Sequence, residues 1–237
     1  MPADAPSSMH EPPESLKAQD LPAEYLRRMQ GLLGEEFPGF LEIYAQPPAA
    51  GLRVNTLKIS VENFLRFSPF HLEALPWSTE GFRLLHSESP LQPGKHPYHA
   101  AGLYYLQDPS AMAAVELLDP KPGEKVLDLA AAPGGKSTHI IARMNNQGLL
   151  VANETHPRRL WDLAENLERW GAHNTAILNA SPERLADHFG PFFDRLLVDA
   201  PCSGEGMFRK SQAARSAWNP GLVQSCALRQ LSILEQA

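Results

Sequence analysis

The chain has 237 residues, 43% of them hydrophobic and 20% charged, and its formal net charge at neutral pH is −6. The hydrophobic content is sufficient for a packed core, and the length allows one large domain or two small ones. No apolar run approaches the roughly 18 residues of a membrane span, and the N-terminus lacks the basic-then-apolar pattern of a secretory signal. We therefore expect a cytoplasmic, monomeric protein that does not contact a membrane.

The cysteines and histidines indicate neither a disulfide framework nor a metal centre. Cys202 and Cys226 are the two cysteines, and no metal-ligand spacing occurs around them. Each of the nine histidines is expected to be a surface or packing residue. The sequence therefore predicts no bound metal.

The acidic net charge argues mildly against nucleic-acid binding, because neutralising phosphates requires lysine and arginine. A local basic patch would not be visible in this average. The candidates for such a patch are Arg27, Arg28, Arg53, Lys58, Lys136, Arg158, Arg159, Arg209 and Lys210. Ordinary solvated side chains are an equally good explanation for most of them.

The first part of the chain predicts a tail followed by two helices. Residues 1–20 are rich in Pro, Ser, Ala and acids, which is typical of disorder. Pro22 suits a helix start, and apolar residues then recur at helical spacing. These residues are Tyr25, Leu26, Met29, Leu32 and Leu33. A second short helix is expected after Pro38.

The next segment predicts a small α/β domain over residues 21–120. Alternation over residues 52–56 is typical of a strand, and residues 72–106 indicate short strands separated by Pro/Gly turns. A helix over residues 109–118 leads into the second domain.

Residues 121–237 predict a second domain in which strands and helices alternate regularly. Strands are expected at 125–130, 149–154, 175–180 and 194–199. Helices are expected at 136–145, 157–170 and 219–236. Such alternation implies a parallel sheet with right-handed crossovers. Pro157 suits the first position of a helix, and Gly171 suits the position just after its end.

The segment Val126–Lys136 is the most informative part of this domain. A short apolar run passes into small residues and then into Pro133-Gly134-Gly135, before a helix-forming stretch. Glycines let the backbone approach a ligand closely, and a helix N-terminus offers unpaired N–H groups. Such a turn can hold a nucleotide-like cofactor at the edge of a parallel sheet. It is not a phosphate-binding P-loop, since Ala130 stands where that motif requires glycine.

A second segment of the same kind is Arg195–Gly206. It contains a buried strand that ends in Asp199, followed by Pro201-Cys202 and two glycines. The carboxyl ends of the two strands are expected to lie side by side, where open α/β sheets bind ligands.

These segments resemble the NOL1/NOP2/Sun family of RNA cytosine-5 methyltransferases. The resemblance rests on residues 131–136 and 199–206, and it extends to residues 53–58 and 107–112. It covers the chain from about residue 21 to the end, and four motifs in this order are far more specific than any one alone. The run Gly204–Lys210 is similar to the bacterial branch that modifies 16S ribosomal RNA.

The resemblance implies a Rossmann-like class I S-adenosylmethionine-dependent methyltransferase domain, preceded by the small α/β domain. The cofactor would contact Ala130, Ala131, Ala132, Pro133, Gly134, Gly135, Lys136, Glu154, Ser181 and Asp199. Glu154 would bind the ribose, and a solvated acid at a strand end is the alternative. Ser181 or Asn179 would stand in for the aspartate that many members place near the adenine. Asp128 would support the loop or contact the methionine part of the cofactor.

The same resemblance implies the chemistry of the site. A thiolate adds to C6 of cytosine, and C5 then takes the methyl group from the sulfonium of the cofactor. A base removes the C5 proton, and the thiolate leaves C6. Asp199 is the strongest candidate for a catalytic residue, and Cys202 would assist release of the product. The family nucleophile lies in a Thr-Cys pair that this sequence does not contain, whereas Cys226 has the surroundings of a packed helix residue. We expect that the chain is truncated before the nucleophile motif, and that it is inactive alone.

The sequence is therefore compatible with three functions. The first is methylation of cytosine C5 in RNA, with 16S ribosomal RNA as the expected substrate. The second is a non-catalytic RNA-binding or ribosome-assembly module that keeps the methyltransferase fold. The third is a DNA cytosine methyltransferase that uses Cys202 as nucleophile, which Ser203 disfavours, because that family continues its Pro-Cys motif with Gln. Arg53 and Asn55 would either orient the core or touch RNA, and we favour the structural role.

Overall fold

The computed structural model describes residues 16–85 and 91–237. Contacts group these residues into two compact units. The helical unit comprises the described residues up to Pro48 together with Pro201–Arg229, and the sheet unit comprises Ala49–Ala200 with Gln230–Ala237. These boundaries differ from those of the two domains expected from the sequence, which remain a prediction.

The described residues form helices and strands in mixed order. The helices are α1 (Ala23–Leu33), α2 (Phe37–Tyr44), α3 (Val61–Phe67), α4 (Pro97–Ala100), α5 (Pro109–Leu118), α6 (Gly135–Arg143), α7 (Arg159–Trp170), α8 (Pro182–Phe189), α9 (Gln212–Ala217) and α10 (Pro220–Leu234). The strands are β1 (Ala50–Val54), β2 (Leu72–Leu75), β3 (Ser78–Leu84), β4 (Tyr104–Leu106), β5 (Lys125–Asp128), β6 (Leu149–Asn153), β7 (Thr175–Leu178) and β8 (Arg195–Leu197). None of these described helices is long and apolar enough to cross a membrane.

An aromatic cluster forms the core of the helical unit. Tyr25 of α1 meets Phe208 and Trp218 edge-on, with ring centroids 4.9 and 5.6 Å apart. The Tyr25 hydroxyl also lies 2.8 Å from the hydroxyl of Tyr44 in α2. Cys226 is buried on α10, as the sequence predicts for a packed helix cysteine.

The first sheet of the sheet unit is antiparallel, in the order β2-β3-β1-β4. Leu52 of β1 faces Phe82 of β3 and Leu106 of β4 in the register of the ladder. Leu52 and Phe82 belong to one apolar cluster, which also contains Phe64 of α3 and Tyr104 of β4. This small core fixes β1, the strand that carries Arg53.

The second sheet is parallel, in the order β7-β6-β5-β8, with β5 and β6 in the middle. Both of its faces are covered, as is usual for parallel sheets. Val126 and Leu150 point into a cluster that includes α6 and α7 side chains such as Ile140. Leu127 and Val151, one position along each strand, belong to the cluster on the opposite face. Successive side chains along each strand point to opposite faces of the sheet, and the sheet therefore has an apolar core on each face.

The structure confirms most of the elements expected from the sequence. The four strands of the parallel sheet are present, and the strand after β7 pairs with β5 rather than with its neighbour in the chain. Each strand ends one to two residues before the predicted limit, because the last residues leave the ladder to form the loops of the site. The helix predicted over 109–118 is α5, and Gly171 ends α7 as expected.

Some expectations were wrong or lie outside the described residues. Pro157 is not the first residue of a helix, because α7 begins at Arg159 after a turn. The helices α3, α4, α8 and α9 were not predicted. The disordered tail expected over residues 1–20 falls outside the described residues up to position 15, and Ala18–Asp20 form a short 3-10 turn.

Candidate active site

The ends of β5 and β8 form one wall of the candidate site. Asp128 is paired with Leu197 in the parallel ladder, and the N–H of Leu129 donates to the Leu197 carbonyl at 3.0 Å. Asp199 follows two residues later, and its Oδ2 lies 2.5 Å from Nζ of Lys136. The Asp199 side chain is 56% exposed, so this ion pair faces solvent. The sequence predicted that the two strand ends would be adjacent, but it gave no sign of the Lys136 pair.

The loop between β5 and α6 is held by side chains that bind its backbone carbonyls. Arg159 donates to the carbonyl of Ala132, and Asn166 donates to that of Pro133 at 2.8 Å. The peptide bond between Ala132 and Pro133 is cis. Gly134 has a φ of +110°, a conformation that favours glycine over residues with a Cβ. The loop thus has a fixed shape, as a cofactor-binding turn requires.

Asp128 supports this loop from below. Its side chain is fully buried, and its Oδ2 accepts a hydrogen bond of 2.6 Å from Ser137 Oγ at the start of α6. Its other oxygen, Oδ1, has no hydrogen-bond partner among the described residues. Burial raises the pKa of Asp128 to about 6, although the Ser137 hydrogen bond opposes the increase. This placement favours the role of loop support over that of an exposed ligand contact.

Arg53 links the antiparallel sheet to the same loop. Its guanidinium donates to the carbonyl of Gly135 at 3.1 Å and to Thr138 Oγ1 at 2.8 Å, and it lies 4.5 Å from the Trp170 ring. Burial lowers the pKa of Arg53 to about 9, which leaves the group charged at neutral pH. Because this side chain is fully buried, the suggestion that it belongs to a surface basic patch was wrong.

The side chains of Asn55 and Lys58 also donate hydrogen bonds to backbone carbonyls of the sheet unit. The Asn55 amide donates to the carbonyls of Gly102 and Trp170, both at 2.8 Å, and its side chain is fully buried. The Lys58 ammonium donates to the carbonyls of Ala101 and Arg169. The structural role favoured for Asn55 therefore agrees with its contacts.

The end of β6 carries a buried acid. Only 3% of Glu154 is exposed, and its Oε1 accepts the backbone N–H of His156 at 2.8 Å. Its Oε2 lies 2.9 Å from a guanidinium nitrogen of Arg159, but without the angle of a hydrogen bond. Arg159 therefore contacts both the loop and the acid expected to bind ribose. A simple solvated acid would be exposed, so this explanation of Glu154 does not fit its burial.

Asn153 is a site residue that the sequence analysis missed. Its amide donates to the carbonyls of Leu129 and Ala180, both at 3.0 Å, and its oxygen accepts the N–H of Ala180. It therefore ties together the loops after three neighbouring strands. The sequence feature that could have identified Asn153 is a polar residue at the end of an otherwise apolar strand.

The segment after β7 contains Asn179 and Ser181. Ser181 Oγ accepts the N–H of Arg184 as the N-cap of α8, while the Asn179 amide donates to the Glu154 carbonyl at 2.6 Å. An open cavity of about 630 Å³ adjoins this segment. Its lining residues are Leu178, Asn179, Ala180, Arg184, Leu185, Asp187, His188 and Phe189. Contact between Ser181 and a cofactor remains a prediction.

Cys202 belongs to the helical unit and is exposed. The 3-10 turn Glu205–Met207 follows it, and Glu205 accepts a hydrogen bond of 2.9 Å from the indole N–H of Trp218. Its assisting role remains a prediction.

The parallel sheet, its fixed loop and the strand-end acids define the class of Rossmann-like methyltransferase domains. The fold is similar to that of a methyltransferase homologue from Pyrococcus horikoshii, with 32% identity and a TM-score of 0.78, over 93% of this chain and 72% of that one. The structure of NSun6 from the same organism has 20% identity and a TM-score of 0.77, over 91% of this chain and 79% of that one, which supports the fold alone.

The chain belongs to the 16S rRNA methyltransferase RsmB/F family, whose sequence profile matches residues 115–237. Residues 21–109 match the N-terminal domain of 16S rRNA methyltransferase RsmF. The ribosomal RNA small subunit methyltransferase F of Pectobacterium carotovorum is 40% identical over 92% of this chain and 47% of its own length. The corresponding protein of Vibrio vulnificus is 39% identical over 92% of this chain and 48% of its own length. The chain thus spans about half the length of these curated relatives, and the family resemblance found in the sequence is confirmed.

Proposed function

We propose that the full gene product methylates C5 of a cytosine in 16S ribosomal RNA, with S-adenosylmethionine as the methyl donor. The observation that carries the proposal is the Asp199–Lys136 pair, which lies beside the fixed loop at the carboxyl ends of β5 and β8. Family membership supports the substrate class. A ribosomal RNA substrate implies a cytoplasmic location.

The residues around the loop fit S-adenosylmethionine. Glu154 lies at a strand end with its Oε2 paired to the Arg159 guanidinium at 2.9 Å, and an acid at this place in a Rossmann-like unit commonly binds ribose hydroxyls. The loop residues 130–136 present backbone to the ligand, and Lys136 can approach its carboxylate. When bound, the cofactor supplies an electrophilic methyl group.

Asp199 is the group that we assign to the pyrimidine. Lys136 holds the Asp199 carboxylate in place through the ion pair, so that Asp199 can orient the polar edge of the target base. The cytosine has to leave any duplex before its C6 atom can be reached. Cys202 assists release of the methylated product, and neither it nor the buried Cys226 is proposed as the nucleophile.

The test is transfer of label from S-adenosylmethionine to 16S ribosomal RNA by the full gene product. We expect that Asp199→Asn lowers transfer by about 100-fold, because misplacement of a reacting group by about 1 Å can cost this much. Glu168→Gln is the matched control, since Glu168 is an exposed acid on α7. Turnover of Asp199→Asn equal to that of the control would contradict the assignment.

Nucleoside analysis and binding calorimetry distinguish the alternatives. Label recovered at C5 of cytosine supports the proposed reaction, and label at another atom or base excludes it. Cofactor binding without any transfer to RNA would instead identify a non-catalytic module that retains the fold.

A further inference from the structure

Three ionisable side chains meet inside the sheet unit, apart from the loop described above. Glu80 lies on β3, Glu116 on α5 and His139 on α6. Glu80 is 4% exposed and His139 is fully buried, and the Glu116 side chain is 15% exposed. Burying charged groups is costly unless they are paired or bind an ion. The burial of His139 agrees with the expectation that each histidine is a surface or packing residue.

The imidazole of His139 faces both carboxylates at equal distance. Its Nε2 lies 3.3 Å from Oε1 of Glu80 and 3.3 Å from Oε1 of Glu116. Neither contact has the geometry of a hydrogen bond, and both Nε2 and Oε1 of Glu116 lack hydrogen-bond partners among the described residues. An imidazole nitrogen carries at most one hydrogen, so Nε2 cannot donate a well-aligned hydrogen bond to both carboxylates.

The distance of 3.3 Å from His139 Nε2 to each carboxylate oxygen fits a tetrahedral metal centre. Two ligands at about 2.0–2.1 Å from zinc, separated by the tetrahedral angle, stand about 3.3–3.4 Å apart. The three ligand atoms of Glu80, Glu116 and His139 all lie within 4.8 Å of one another. We infer that these residues bind a divalent transition-metal ion of the zinc class through Oε1, Oε1 and Nε2.

The remaining oxygens of the carboxylates already have neighbours. Glu80 Oε2 accepts a hydrogen bond of 2.6 Å from Thr79 Oγ1, and Glu116 Oε2 lies 3.7 Å from Arg143. These partners orient the two Oε1 atoms toward His139, as outer-shell groups do in metal sites. Ser78, on the same strand as Glu80, is buried beside the Glu116 carboxyl and helps to lower its pKa, and a water can supply the fourth ligand.

The charges of the three proposed ligands balance with a divalent ion, and Arg143 beside Glu116 adds one further positive charge. Two carboxylates and a neutral imidazole carry two negative charges, which the ion neutralises. Any proton held by His139 passes to solvent as the metal binds. The ion would fix β3, α5 and α6 to one another, and this inference does not depend on the proposed function.

The test is metal uptake by the purified, tag-free protein after treatment with a chelator. We expect one equivalent of Zn²⁺ after dialysis, and Co²⁺ should give the visible absorption of a tetrahedral site with nitrogen and oxygen ligands. Glu80→Gln and His139→Asn should weaken Zn²⁺ binding by about 100-fold or more, since loss of an outer-shell partner alone costs about 10–100-fold. His173→Gln is the control, because His173 is exposed.

The wild-type measurement keeps the inference testable even if a variant does not fold. Absence of stoichiometric Zn²⁺ and Co²⁺ uptake by the folded wild type would overturn it. Uptake that is equal in the wild type, Glu80→Gln and His139→Asn would place the ion elsewhere, which also overturns it. Circular dichroism of each variant shows whether its fold is intact.

Discussion

The raised pKa of Asp128 should make the stability of the protein depend on pH. Its pKa is raised from 3.8 to about 6, so the folded state binds the proton more tightly than the unfolded chain. The free energy of unfolding should therefore fall as pH rises from about 4 to about 6, and stay lower above that range. The change corresponds to at most about 3 kcal/mol.

Asp128→Asn should remove this dependence, because the amide keeps the shape and can still accept from Ser137. We expect the variant to exceed the wild type in stability by about 1–3 kcal/mol near pH 7.5, and by little near pH 4. Urea unfolding at several pH values measures the difference, with the exposed Asp162→Asn as control. A variant less stable than the wild type at every pH would contradict the prediction.

At the scale of elements, the turn before β6 depends on one glycine. Gly148 has a φ of +96°, and a Cβ at this position would lie 2.2 Å from the carbonyl oxygen of Glu124. Gly148→Ala should therefore destabilise the fold by about 2 kcal/mol or more, because the backbone has to move.

Gly39 provides the matched comparison. It lies inside α2, and a Cβ there meets nothing within 4 Å. Gly39→Ala should increase stability by about 0.5–1 kcal/mol, since alanine is the better helix residue. Thermal unfolding of both variants tests the two predictions. Stability changes of the same sign and size in both variants would show that the turn at Gly148 tolerates a side chain.

Several elements could be predicted because their signal is local. The parallel strands are short apolar runs, and α1, α5 and α7 have clear periodicity or boundaries. The helix α8 was missed although Ser181-Pro182-Glu183 is a typical helix start, so that omission was avoidable. The strand limits were overestimated, because residues such as Glu154 continue the strand pattern in sequence after the ladder has ended.

The contents of the candidate site could be predicted only in part. Motifs indicated the loop, Glu154 and Asp199, since these residues follow strand ends. The partners of Lys136, Arg53 and His139 come from distant parts of the chain, and no local pattern identifies them. Pairing of this kind is decided by the tertiary fold.

At the scale of the whole molecule, the helical unit joins two segments from opposite ends of the chain. Phe208 is fully buried against Tyr25 of α1. Phe208→Ala should cost about 3–5 kcal/mol, the usual effect of truncating a buried aromatic ring. Amide hydrogen exchange should become faster in α1, and Leu228→Ala at an exposed position of α10 should leave it unchanged. Unchanged exchange in the Phe208 variant would contradict the prediction.

The order of strands in the parallel sheet also determines which parts of the sheet can form first while the protein is being synthesised. Strand β5 pairs with β8, and Lys125 and Asp194 at the start of this pairing are 69 residues apart. At bacterial and eukaryotic translation rates, the ribosome needs roughly 3–14 s to add that length of chain. The Glu154 side of the site can form during this interval, but Asp199 does not yet exist. Until β8 arrives, one edge of β5 has free hydrogen-bonding groups, and the nascent chain is open to pairing with other strands.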